Sequence, residues 1–69
     1  MSAMIGSYRV CITGASPEEC IAAIIKSGIK LKKIQFESEL EVSADVNRAD
    51  FKLLNALVSK RNDHISIIE

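Results

Sequence analysis

The sequence has no tryptophan, a single tyrosine, two phenylalanines, one proline, one histidine and two cysteines, and its nine basic residues are balanced by nine acidic ones. Each shortage removes a class of function. Without a basic surplus there is no electrostatic footprint for a nucleic-acid backbone, nor for adsorption to an anionic membrane surface. No apolar run approaches the ~20 residues of a spanning helix, and the first residues lack the basic-then-apolar layout of a signal peptide. Two cysteines outside any CxxC spacing, with one histidine, supply neither a zinc site nor a disulfide framework, so no metal or other cofactor is expected and a reducing cytoplasm fits best. A chain of 69 residues is one domain that buries roughly 60% of its unfolded surface, a thin core that depends on good patterning.

The most legible stretch runs from Ser16 to Gly28. Ser16 has the chemistry of a helix N-cap, Pro17 sits where a missing N–H costs nothing, and Glu19 is placed to close a capping box. Gly28 supplies the left-handed stop, and Lys26 lies in the last turn, where the helix dipole favours a cation. Ile21, Ile24, Ile25 and Gly28 share one side at helical spacing, which predicts a helix packed on a sheet.

Around this helix the pattern is that of strands. Residues 1–6 carry no periodicity and form a flexible lead-in, leaving 7–69 as the domain. Ser7 to Thr13 alternate, with Tyr8, Val10 and Ile12 opposed to Arg9, Cys11 and Thr13. In Ile29 to Glu37, Ile34 and Phe36 share a parity that Leu31 does not, so a bulge or a late strand start is expected near Lys32. Ser38-Glu39 turns the chain into a strand with Leu40, Val42, Ala44 and Val46 on one face. Asn47 or Asp50 then caps a second helix to about Lys60, whose apolar stripe is Phe51, Leu54, Leu57 and Val58. Ile65 and Ile67 around Ser66 make a last strand. The order βαββαβ, with right-handed crossovers, predicts an α+β ferredoxin-like fold: a four-stranded antiparallel sheet with both helices on one face.

The uncovered sheet face would then carry Arg9, Cys11, Thr13, Lys33, Gln35, Glu37, Glu41, Ser43 and Asp45. That face is polar and mixed in sign, and without aromatics it has nothing on which to stack RNA bases. A metal chaperone of this topology would need cysteines in the loop Thr13-Gly14-Ala15-Ser16, which has none. Cys11 and Cys20 fall on the sheet and on the helix, too far apart to pair, and are expected as free thiols. Asp63-His64 invites a general-base reading, but no nucleophile lies near it in sequence, and a surface histidine at a strand end is expected. The Gly14 turn could seat a small anion at the helix N-terminus, but Glu18 and Glu19 repel one. Lys30, Lys32 and Lys33 on an edge strand read as a block to edge-to-edge pairing.

Two families resemble this arrangement. Tyr8-Arg9-Val10-Cys11-Ile12-Thr13-Gly14, the helix, and Ser27-Gly28-Ile29-Lys30-Leu31 resemble the opening of ACT domains, which would imply an amino acid held near Gly14 and Ser16 between two copies. The same run, with Leu40-Glu41-Val42-Ser43, Ala49-Asp50-Phe51-Lys52 and a last strand after Lys60-Arg61, is more similar to the N-terminal segment of YqfD-type stage IV sporulation proteins of endospore-forming bacteria. That resemblance spans Tyr8 to Glu69, implies a parent protein that continues into a membrane-spanning helix, and brings no catalytic residues. The expected function is therefore a non-catalytic interaction or self-association module on the cytoplasmic side of the membrane, without direct membrane or nucleic-acid contact. Its expected contact surface is the open sheet face or the edge strand, through Arg9, Lys32, Lys33, Gln35, Glu37 and Glu41, and its partner is another protein or a second copy.

Overall fold

The structure, a computed structural model, describes residues 6–68. Its elements are β1 (Ser7–Thr13), α1 (Pro17–Lys26), β2 (Leu31–Phe36), β3 (Glu41–Asn47), α2 (Arg48–Lys60) and β4 (His64–Ile67). The strands form one antiparallel sheet in the order β2-β3-β1-β4, so each helix makes a crossover between parallel strands with one strand between them. This is the ferredoxin-like α+β arrangement expected from the sequence. The lead-in expected for residues 1–6 lies outside the described residues except for Gly6, whose carbonyl accepts the Arg48 amide N–H.

The register explains why alternation was readable. Tyr8, Val10 and Ile12 stand opposite Val46, Ala44 and Val42, so one face of β1 and β3 is uniformly apolar, and Ile65 and Ile67 of β4 extend it. Both helices cover that face. Val10, Ile12, Ile24, Val42, Leu54 and Val58 are completely buried there, and Tyr8 closes one end with its ring 5.2 Å from that of Phe51, edge to face. In β2, Lys32 opposes Asp45 and Gln35 opposes Ser43, so Lys33 and Ile34 together face Ala44. That is the anticipated bulge; Lys33, at φ 52°, absorbs the extra residue and lets Leu31 and Phe36 both point toward the helices.

Four local expectations are corrected. Ser16 is the N-cap residue of α1, but its side chain makes no capping bond and the box with Glu19 does not form; at φ −141°, ψ 84° the backbone holds Oγ away from the first-turn N–H groups. Asn47 likewise begins α2 without a side-chain cap. The buried side of α1 is Pro17, Cys20, Ile21 and Ile24, leaving Ile25 54% exposed, because the helix rolls Cys20 and not Ile25 onto the sheet. Leu40 lies in the hairpin loop and is exposed, since β3 begins at Glu41 and α1 does not reach past the loop to cover it. Gly28, at φ 96°, ends α1 as expected, in a conformation that L side chains rarely adopt.

Candidate functional site

Three surface regions hold chemistry. The first is the uncovered sheet face, where Arg9 on β1 reaches across β3. Its NH1 group donates to Asp45 Oδ1 at 2.8 Å and to the Lys33 carbonyl at 3.3 Å, and its NH2 group donates to Ser43 Oγ at 2.9 Å. The Ser43 hydroxyl in turn donates to Glu37 Oε2 at 2.8 Å. Ser43 is fully buried although no helix covers it, because the Arg9 and Glu37 side chains close over it. The network therefore satisfies a buried hydroxyl and two opposite charges at once, and it ties β1, β3 and the end of β2 together. Of the six residues expected to form a contact surface, Arg9 and Glu37 are spent in this network and Lys33 contributes its carbonyl at the bulge. Lys32, Lys33, Gln35, Glu37 and Glu41 are all exposed, and of the six only Arg9 is half-buried.

The second region is the corner where α1 begins and β4 follows α2. Asp63 turns its carboxylate toward Arg61, with Oδ2 3.4 Å from Nε, and lies close enough to the Cys20 thiol to affect its ionisation. A side chain at position 14 would collide with that carboxylate and would have to displace Asp63, so glycine suits this turn at a position without positive φ. Burial, reinforced by the nearby Asp63 carboxylate, pushes the Cys20 thiol up from its ordinary value of 9.0, with Arg61 opposing. Cys20 is thus a protonated core thiol, and both cysteines are free. His64 stands on the opposite sheet face, beside Thr13, so Asp63 does not orient it. The shallow cleft in front of α1 is lined by Ala15, Ser16, Pro17, Glu18, Phe36 and Glu39 among others; two carboxylates and no cation oppose the carboxylate of an amino acid there.

The third region was not foreseen. Along α2, beside the turn that follows α1, an apolar groove of about 350 Å³ is lined by Ile29, Leu53, Ala56 and Leu57 with Ser27 and Lys60. It continues past Ile29 into a second depression formed by Ile25, Gly28, Leu31, Lys30 and Lys32. Leu53 is 65% exposed. The only charged side chains lining the two depressions are lysines. Two signals in the sequence pointed here: Leu53 lies off the buried stripe of α2, and a ten-residue helix with three isoleucines has more apolar surface than one face can bury.

Among the described residues no three metal-ligating side chains converge, and no helix is long and apolar enough to cross a membrane. No curated protein and no solved structure matches the chain. A family model described as putative stage IV sporulation protein YqfD matches residues 2–69. That match takes in every element of the sheet and both helices, and the chain accordingly belongs to the YqfD family of putative stage IV sporulation proteins.

Proposed function

We propose that this domain is a non-catalytic protein-interaction module of a sporulation protein, held on the cytoplasmic side of the membrane by a parent chain anchored elsewhere. The observation that carries this reading is the contrast between spent polar groups and unspent apolar ones. Arg9, Asp45, Ser43 and Glu37 satisfy one another, so the polar cluster of the open sheet face offers no free nucleophile or base to a substrate. Ile25 and Leu53 meanwhile stand exposed over two adjoining apolar depressions that share Ile29, which together form an open groove. Surface apolar grooves of this kind are docking sites, and the lysines Lys30, Lys32 and Lys60 at its rim set the chemistry of the occupant: an amphipathic partner segment that carries carboxylates beside its apolar face. In the parent gene of an endospore-forming host, Leu53→Asp should impair sporulation while the purified domain keeps its denaturation midpoint. A domain that titrates saturably with any single amino acid in calorimetry would replace this reading with a metabolite sensor.

A further inference from the structure

The two edges of the sheet are not alike. On β2, Lys32 and Lys33 project from the edge strand, Lys30 precedes it, and the bulge at Lys33 breaks the ladder. Edge lysines and a broken ladder both oppose the addition of a further strand there. β4 has no such protection: His64, Ile65, Ser66 and Ile67 include no formally charged side chain and no bulge, and among the described residues no strand pairs with the outer side. Ile67 and Ile68 are each about half exposed.

The hydrogen bonds of the inner side fix what the outer side offers. The Ile68 N–H donates to the Arg9 carbonyl at 2.7 Å. In an antiparallel ladder hydrogen-bonded and non-hydrogen-bonded pairs alternate, so Cys11 with Ser66 and Thr13 with His64 are the bonded pairs, whereas Val10 with Ile67 and Ile12 with Ile65 are not. The N–H and C=O groups of Ile65 and Ile67 therefore point outward. A second copy approaching antiparallel can use them only in a register that keeps like faces together, since a slip of one residue would turn the isoleucines to the polar face. The register that engages all of them places Ile65 against Ile67 of the other copy, and Ile67 against its Ile65. It makes four N–H···O=C bonds and sets Ser66 opposite its own twin on the two-fold axis.

We propose that β4 is a self-association edge, through which two copies join their sheets into one of eight strands with Ser66 on the symmetry axis. This rests on the reading of the domain as a contact module and deepens it by naming a surface and its occupant. A closed two-fold pairing of identical edges needs no second sequence. Four strand residues span only about 13 Å, so the buried area falls below the ~1,200 Å² of stable complexes, and the dimer is of the weak, concentration-dependent class.

The central Ser66 pair is a non-hydrogen-bonded one, with Cα atoms about 4.5 Å apart, within the range of a disulfide. Ser66→Cys, in a Cys11→Ser background that removes the neighbouring thiol across β1, should give a cross-linked dimer under mild oxidation. His64→Cys in the same background should not, because the two copies of that position lie roughly 14 Å apart along the strands. In parallel, sedimentation of the unmodified chain should show its mean mass rising between micromolar and millimolar concentrations, and Ile67→Lys should weaken that association more than about tenfold. Equal cross-linking at both positions, a chain that stays monomeric at millimolar concentration, or association indifferent to Ile67→Lys would each overturn the proposal. A monomer that still depends on Leu53 in the cell would sink the edge pairing while leaving the interaction module standing, whereas saturable amino-acid binding would remove the module reading itself.

Discussion

The two faces of the sheet are held by different physics. Under the helices, Val10, Ile12, Val42 and Val46 are stabilised by removal from water and by close packing, and none of them has a polar obligation. On the other face, Arg9, Ser43, Asp45 and Glu37 are held by hydrogen bonds and charge in a half-wet environment where Arg9 and Asp45 are each 24% exposed. The first kind of interaction is not screened by salt and is costly to perforate. The second is directional and weaker, and it specifies how β2 and β3 meet more than it holds the chain folded.

Removing apolar volume from the covered face should have the largest effect. Leu54→Ala should lower stability by about 2–5 kcal/mol. A domain of this size has only roughly 3–10 kcal/mol in total, so urea denaturation should find the variant unfolded or nearly so. Asp45→Ala tests the other face: leaving Arg9 without its carboxylate should cost about 1 kcal/mol, because the guanidinium can still reach water and the Lys33 carbonyl. If that substitution proved as damaging as Leu54→Ala, the distinction between the faces would fail.

The two cysteines report on the same difference. Cys11, half-buried on the open face, should react with a thiol reagent in the native protein, and Cys20, buried under α1, only when the domain opens. Titration adds a sign. The folded thiol of Cys20 ionises above the ordinary value of 9.0, so its contribution is fully present below that pH. Above it the unfolded chain loses the proton first, and stability should fall with a limiting slope of about 1.4 kcal/mol per pH unit. Cys20→Ala should flatten that part of the stability profile; an unchanged slope would assign it to other groups.

The smallest effect is expected at the edge between the faces. Ser16→Ala should move the denaturation midpoint by less than the equivalent of about 0.5 kcal/mol, since the Ser16 side chain makes no capping bond. A loss of about 1 kcal/mol would mean that the cap forms in solution.

That serine marks the limit of what the sequence carries. Its identity and its spacing from Glu19 are those of a capping box, yet the cap also depends on the Ser16 backbone angles, reached in a turn whose Gly14 lies against Asp63, a residue from far along the chain. The element order, the inward parity of Tyr8, Val10, Ile12, Val42 and Val46, the bulge near Lys32 and the separation of the thiols were all legible. Each follows from periodicity within a few residues, where side-chain direction is dictated by the backbone itself. The candidate contact surface was legible only in part. Arg9 and Glu37 were correctly placed on the open face, but whether they are free or spent depends on Asp45 and Ser43, and Arg9 and Asp45 are 36 positions apart. The apolar depressions on either side of Ile29 likewise take shape only in the fold, where α1 settles on Cys20 and leaves Ile25 exposed while α2 leaves Leu53 exposed. The sequence by itself determined which strands and helices form and which side of each is apolar, because those are local consequences of backbone geometry. Only the tertiary structure decided which polar groups consume one another, which edge stays open and which apolar side chains are left over, because those depend on contacts between residues far apart in the chain.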